Sequence, residues 1–351
     1  MHIIEAKNMQ TIEVKTATGK HSKIFVGEDF TKLHNYLPSQ KTVVIIDENI
    51  FDLYSDFFEI YECIKIHASE KNKTLETVEN IIGQLINLHA DRSTFIVGVG
   101  GGITCDIAGF AASVYMRGVK FAFVSASLLS QVDASIGGKN GVNFDGFKNM
   151  IGTFNQPEFV ICDTKMLANL PENEFIGGLS EIVKIALIKD AEMFDFIEHN
   201  TDEILKRDEK IMQKLIAKSI QHKADIIQRD EFENGERRML NFGHTLAHAI
   251  ERNSDISHGF AVSAGMMFSA KISQHLNLIS HNDVARIKNL LAALGLPFST
   301  NIDDKLLFKT LINDKKKNND EINFVLIKSI GTSTEMRINI DDFKNLISIF
   351  K

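Results

Sequence analysis

The sequence predicts an α/β half built on a parallel sheet, residues 1–165, followed by a mainly helical half, residues 166–351. Three observations carry that prediction. Short apolar runs in the first half end in polar or glycine-rich turns, as parallel strands do when they hand the chain to ligand-facing loops. One such run, Phe95–Val99, leads through a glycine cluster into a helical pattern. From about Met166 the apolar spacing becomes helical, with no low-complexity linker at the change.

A chain of 351 residues is long enough for two domains, each with its own core. The net charge of −7 argues against general nucleic-acid binding, so any basic cluster serves a local site. Three cysteines (Cys63, Cys105 and Cys162) without CxxC spacing fit reduced thiols of a cytoplasmic protein, not a disulfide framework or a zinc ribbon. The opening MHIIEAKNMQTIEVKT scatters its charges and lacks the apolar segment of a signal peptide. No stretch approaches the roughly 18 uninterrupted apolar residues of a membrane span. The expectation is a cytoplasmic chain without membrane or nucleic-acid partners.

Taken in order, residues 10–16 alternate as a strand, with Lys23–Val26 as its partner. KTVVIIDEN (41–49) reads as a buried strand closed by Asp47 and Asn49, and CIKIH (63–67) as a short strand. Residues 75–89 have helical period. In STFIVGVGGGITCDIAGFAASVYMRG (93–118) a strand meets Gly98, Gly100, Gly101 and Gly102 before a helix that begins near Ile103. Glycines admit close approach of a ligand to the backbone, and a helix N-terminus offers N–H groups to phosphate. The spacing is not GxGxxG, so the cluster alone does not establish a dinucleotide fingerprint. Asp106, expected in the first turn of that helix, complements its dipole.

VKFAFVSASLL (119–129) is a further strand with hydroxyls at its end. SQVDASIGGKNGVNFDGFKNMIGTFNQP (130–157) reads as a loop too rich in glycine for helix. It is either functional or a flexible connector with solvated lysines. Asp133, Lys139, Lys148 and Asn149 in it suit an anionic ligand. FVICDT (159–164) is the last clear strand of the first half.

In the second half, 175–199, 203–230 and 261–295 have helical spacing. EFIGGLSEIVKIALIKD (174–190) sets Glu181 and Lys184 three apart on one face, either as a surface ion pair or with the carboxylate as a metal's oxygen ligand. QHKADIIQRDEFENGERR (221–238) brings Lys223, Glu233 and Arg237 up to RRMLNFGHTLAHAIERNSDISHGFAVSAGM (237–266), which holds Asn241 and three histidines. His244 and His248 are four apart and share a helix face, and His258 follows in a Ser-His-Gly context. Clustered imidazoles suggest a metal or acid/base site; the alternative is an accidental pair on a solvated face. Spacing alone selects His244 with His248. NDKKKNNDEINFVLIKSIG (313–331) is a basic turn followed by a strand-like run.

The motifs GGGITCDIAGFAASVYMRG, QVDASIGGKNGVN, KNMIGTFNQP, RRMLNFGHTLAHAIE and SHGFAVSAGM, in this order, closely resemble the 3-dehydroquinate synthase family across nearly the whole chain. Only related sugar phosphate cyclases share most of them; metal-dependent glycerol and alcohol dehydrogenases are a more distant likeness. The resemblance implies a homodimer with an N-terminal NAD-binding domain and a mainly helical C-terminal metal- and substrate-binding domain. NAD and one divalent metal, zinc or cobalt, are implied in the cleft between them. It implies Glu181, His244 and His258 as metal ligands and moves His248 to the substrate, near the departing phosphate.

NAD contacts are implied at Asp47, Asn49, Glu70, Lys73, Lys139 and Lys148. Gly100, Gly101 and Gly102 would hold the pyrophosphate, with Asp106 near the nicotinamide. Substrate contacts are implied at Asp133, Lys139, Lys148, Asn149, Lys184, Lys223, Arg237 and Asn241, at Arg117 from the other subunit, and at one lysine of 315–317. The implied substrate, 3-deoxy-D-arabino-heptulosonate 7-phosphate, carries a carboxylate and a phosphate, so an acidic chain needs a concentrated basic pocket. The implied reaction is transient oxidation, phosphate elimination, re-reduction and intramolecular aldol closure to 3-dehydroquinate, within the shikimate pathway to aromatic amino acids.

The chain departs from the family pattern at Ser125-Ala126-Ser127 (usually Pro-Thr-Thr), Asn140 (Thr), Asn169 (Thr), Ala247 (Gly) and Phe260 (Glu). These bear on cofactor and substrate preference. The nearest rival is another sugar phosphate cyclase such as 2-deoxy-scyllo-inosose synthase. An NAD-dependent polyol dehydrogenase would lack the clamp for phosphate and carboxylate. A non-catalytic relative would have lost a metal ligand or Asp133, and neither is lost.

Overall fold

The computed structural model describes residues 9–315 and 321–350. β1 (Gln10–Lys15) and β2 (His21–Val26) pair antiparallel from Gln10↔Val26 to Lys15↔His21. β1 alternates buried and exposed residues, as an edge strand does. β3 (Thr42–Asp47) buries Val43 to Ile46 without alternation, the pattern of a strand covered on both faces. α1 (Glu48–Leu53), α2 (Ser55–Phe58), β4 (Glu62–Ile66), α3 (Leu75–Asn87), β5 (Phe95–Gly100), α4 (Gly102–Val114) and β6 (Phe121–Ser125) follow. The hairpin β7 (Lys139–Phe144) and β8 (Phe147–Phe154) precedes β9 (Phe159–Cys162). The seven-stranded sheet has the order β1-β2-β9-β6-β5-β3-β4, with every pair except β1–β2 parallel.

That order positions the first candidate site. From β3 the chain steps to β4 on one side and then returns to β5 on the other. Connections that diverge from neighbouring carboxyl ends leave a crevice, the usual ligand position in an open α/β sheet. Asp47 and Gly100 end the two strands that flank it.

The segment 130–157, expected as a loop, is a π-helical turn (Ser130–Ala134) followed by the β7–β8 hairpin. The glycines that argued for a loop are what allow the strands to meet. A Cβ on Gly141 would lie 2.5 Å from the Ile151 carbonyl oxygen, and one on Gly152 2.4 Å from that of Asn140. Asp145-Gly146, with φ of 49° and 76°, forms the two-residue turn between Phe144 and Phe147. Asp-Gly is favoured in that kind of turn because both positions need positive φ.

The chain forms two compact units, one of Met1–Leu170 with Met212–Phe232 and one of Pro171–Ile211 with Glu233–Lys351. The period change read at 165 gives no sign that Met212–Phe232 returns to the first unit. Three contacts fasten that segment: Lys223 Nζ donates to the Asp133 carbonyl at 2.7 Å, Thr18 Oγ1 to Glu231 Oε2 at 2.9 Å, and the Phe154 and Phe232 rings lie 5.3 Å apart.

Helices of the second half are α5 (Glu172–Lys189), α6 (Ala191–His199), α7 (Thr201–Leu205), α8 (Glu209–Arg229), α9 (His244–Asn253), α10 (His258–His275), α11 (His281–Ala293) and α12 (Asp304–Lys315). A C-terminal hairpin, β10 (Glu321–Ser329) with β11 (Thr332–Asn339), and α13 (Ile340–Phe350) complete it. α5 and α10 bury residues all round, as central helices do. Among the described residues no helix is long and apolar enough to cross a membrane.

Candidate functional site

Three helices of the second unit bring Glu181, His244 and His258 together, with their candidate ligand atoms all within 4.8 Å of one another. Close helix approach makes this possible. A Cβ on Gly259 would lie 2.1 Å from the Gly177 carbonyl oxygen, and one on Gly265 2.0 Å from that of Gly243. Gly259 adjoins His258, Gly243 adjoins His244, and Gly177 lies one turn before Glu181. The two glycine pairs therefore dock α5 and the start of α9 onto α10, backbone against backbone.

Glu181 is 1% exposed, and its Oε1 lies 3.8 Å from His244 Nε2 and 3.6 Å from His258 Nε2. Neither of its carboxylate oxygens accepts a well-directed hydrogen bond, although Lys184 forms an ion pair with Oε2. Such a buried carboxylate, faced by two imidazole nitrogens, fits a cation. His244 Nδ1 lies 3.2 Å from the Phe242 carbonyl, which can only accept, so Nε2 keeps its lone pair for the cluster. His258 Nδ1 lies 3.2 Å from Glu251 Oε1.

The charges follow from these contacts. Burial and the Lys184 cation push His244 down to about 3, which leaves it a neutral ligand at pH 7. Burial opposes ionisation of Glu181, but Lys184 outweighs it and holds the carboxyl well below its usual range. Burial also opposes protonation of His258, yet Glu181 and Glu251 raise it to about 9 when no cation competes.

His248 shares the α9 face with His244, their rings 5.8 Å apart, but it is exposed and outside the ligand cluster. The i, i+4 pair chosen by spacing is therefore not the one that converges; His258 from the next helix takes its place. Arg237 is buried in a 3₁₀ turn (Glu236–Asn241), and Asn241 Nδ2 donates to Glu233 Oε1 at 2.5 Å.

In the first unit, Gly100, Gly101 and Gly102 line the junction of β5 and α4. A Cβ would meet Thr104 Oγ1 at 2.5 Å from Gly100, Ser127 Oγ at 3.3 Å from Gly101 and Ala134 Cβ at 3.0 Å from Gly102. Gly101 is the N-cap of α4 and supplies no side chain to satisfy the first N–H groups, which fits a phosphate there.

Asp106 lies beyond the first turn of α4, which holds no acidic residue, so the dipole reading fails: that field fades within a turn. Asp106 instead pairs with buried Lys73, whose Nζ also donates to Asn149 Oδ1 at 2.5 Å. Burial raises the Asp106 carboxyl despite this cation. Lys223 Nζ donates to Asp133 Oδ1 at 2.5 Å.

Asp47 caps α1 by accepting from Asn49 N at 3.0 Å. Glu70 accepts from Asn143 Nδ2 at 2.8 Å, and Lys148 Nζ lies 3.8 Å from its Oε1. Lys139, Lys148, Asn149 and Arg117 are exposed, Arg117 in left-handed backbone at φ 72°. Of the lysines expected in 315–317, Lys315 ends α12, and Lys316 and Lys317 lie outside the described residues.

Of the family departures, Asn140 and Asn169 have a local account, and nothing in the structure explains Ala126, Ala247 or Phe260, which is half-buried on α10. Asn140 Nδ2 donates to Gly138 O at 2.9 Å and Asn155 O at 2.8 Å, fastening the base of the hairpin. Ala126 N donates to Gly100 O, Asn169 Nδ2 to the Tyr54 hydroxyl, and Ala247 is fully buried in α9. Sequence reasoning missed Glu251 and the docking glycines; small residues beside each ligand were the available signal.

The 3-dehydroquinate synthase N-terminal family model matches residues 63–177, and the 3-dehydroquinate synthase C-terminal model matches residues 178–317. The 3-dehydroquinate synthase of Halorhodospira halophila is 39% identical over 319 residues, covering 88% of this chain and 90% of that protein. A crystal structure of 2-deoxy-scyllo-inosose synthase complexed with carbaglucose-6-phosphate, NAD+ and Co2+ superposes with a TM-score of 0.87 at 26% identity, over 97% of this chain and 100% of that one. The 2-epi-5-epi-valiolone synthase of Streptomyces hygroscopicus, with NAD+ and Zn2+ bound, superposes at 0.86 and 26% identity, over 93% and 96%.

Proposed function

The chain belongs to the 3-dehydroquinate synthase family, and from that premise we propose that it converts 3-deoxy-D-arabino-heptulosonate 7-phosphate to 3-dehydroquinate and phosphate, as a cytoplasmic homodimer of the shikimate pathway. The observation that carries the proposal is the buried Glu181–His244–His258 cluster, with its open carboxylate oxygen and two inward Nε2 atoms.

Those three residues would hold one divalent cation, zinc or cobalt, and Gly100–Gly102 with the α4 N-terminus would hold the NAD pyrophosphate. When bound, NAD supplies reversible hydride chemistry, and the cation supplies Lewis-acid polarisation of an alcohol or carbonyl oxygen.

The remaining roles fall to the chain's own side chains. In the first unit, which we read as the NAD domain, Asp47, Asn49 and Glu70 serve the adenosine end. Lys73 pairs with Asp106 beside the nicotinamide and opposes the upward push of burial on its carboxyl. Lys139, Lys148, Asn149 and Lys223 give that unit a set of ammonium and amide donors for the substrate's anionic groups, and Asp133, which accepts from Lys223, offers a carboxylate to the substrate's hydroxyls. In the second unit, Lys184, Arg237 and Asn241 do the same, and His248, exposed on α9, would accept or donate a proton near the leaving phosphate. Exposed Arg117 supports delivery to a second copy, and the mass in solution checks the dimer.

Phosphate release from the heptulosonate phosphate tests the reading. Release that requires both NAD and a divalent metal, yields dehydroquinate and accumulates no NADH is the expected result. Steady NADH accumulation overturns it in favour of a dehydrogenase. Turnover of a different sugar phosphate alone favours the cyclases that the chain also superposes on.

A further inference from the structure

We propose that Glu251 is the positioning residue of the metal cluster, fixing His258 so that its Nε2 faces the cation. This rests on the metal reading above and assigns a role to a residue outside the three ligands. Glu251 lies on α9 seven residues after His244, two turns along the same face. Its side chain is only 3% exposed, and its Oε1 stands 3.2 Å from His258 Nδ1. A carboxylate oxygen can only accept, so the contact places the proton on Nδ1 and commits Nε2 to the cluster, where it faces Glu181 Oε1 at 3.6 Å.

One helix thus provides a ligand, His244, and the partner that aims a ligand from another helix. The two histidines are held unequally: the Phe242 carbonyl meets His244 Nδ1, whereas a carboxylate meets His258 Nδ1. A charged acceptor makes the opposite nitrogen the stronger donor, so His258 is the more basic ligand and Glu251 is the reason. His258 also needs the help more, because its side chain is 34% exposed against 12% for His244, and less packing holds its ring.

The test is a titration of the metal-stripped full chain with Zn2+ against a chromophoric chelator, together with the visible spectrum of the Co2+ form. Glu251→Ala is expected to weaken binding by about 10- to 100-fold and to shift the cobalt bands, because the freed ring reorients. Glu251→Gln keeps the shape and an accepting oxygen but loses the charge, so it is expected to bind several-fold more weakly than the parent, less weakly than Glu251→Ala, and to keep bands near the parent's. Equal affinity and an unchanged spectrum in Glu251→Ala overturn the proposal while leaving the metal reading intact. If Glu251→Ala does not fold, as judged by circular dichroism, Glu251→Gln decides: affinity and bands identical to the parent's overturn the proposal. A parent chain that binds neither ion overturns both readings.

Discussion

The glycine junction of the first unit and the histidine–carboxylate cluster of the second achieve related ends by opposite means. At the junction, main-chain N–H groups are the proposed binding surface, and glycines keep side chains off it. At the cluster, side chains are the proposed binding surface, and glycines leave room for helices to approach one another. The same residue type thus opens space in one unit and removes it in the other. Substitution should therefore impair ligand binding alone in the first case, and both folding and binding in the second.

The largest effect expected lies in the cluster. His244→Ala removes a neutral ligand, so bound metal and phosphate release should both fall, the latter by at least about 100-fold, because a Lewis acid supplies several kcal/mol of transition-state stabilisation. Metal content by atomic absorption, measured beside turnover, checks it. Full turnover with no metal retained would break the comparison at its root.

Next comes a matched pair of glycine substitutions. In Gly259→Ala the new Cβ meets a backbone oxygen at 2.1 Å, which cannot swing aside, so overpacking should cost about 1–3 kcal/mol and displace neighbouring His258. In Gly101→Ala the nearest atom is the Ser127 hydroxyl at 3.3 Å, so the fold should persist while NAD binding weakens. Chemical denaturation of the metal-free variants and calorimetric NAD titration separate the two outcomes. Equal destabilisation by both would erase the distinction.

The smallest effect calibrates the rest with a contact outside either site. Burial pushes Asp29 up, but Lys165 and Thr31 bring it down to about 2, from 3.8 when unfolded. A depressed carboxyl stabilises the fold above its unfolded pKa and loses that contribution as pH falls through its folded pKa. Asp29→Asn should thus cost about 1 kcal/mol at pH 5 to 7, a figure discounted because Lys165 is half exposed, and only a small fraction of that near pH 2. Urea unfolding at the two pH values measures it, and a cost that grows toward pH 2 would reverse the sign.

How much of this could be read beforehand depends on the range of the interaction. β3, β5, β6 and β9 announce themselves because a strand buried on both faces is apolar without interruption. The β7–β8 hairpin was concealed by its own glycines, although Asp145-Gly146 stood in the sequence as a turn signal. β11, TSTEMRIN, buries only Ile338 and offers almost no apolar signal. Within the cluster, local spacing can pair residues only along one helix, so it selected His248. Placing His258 beside His244 took the family resemblance, because that contact depends on how α9 meets α10. Glu251 escaped notice because a carboxylate on a polar helix ordinarily faces water.

The return of Met212–Phe232 to the first unit carries a consequence for how such a chain can be made and divided. A gene fragment ending at the change of period would encode the sheet without Lys223, and so without the partner of Asp133. During synthesis the first unit cannot be complete until residue 232 has emerged, by which point α5, α6 and α7 have already been made. The two units are therefore interleaved along the chain, and neither can be inherited, exchanged or expressed as one uninterrupted piece.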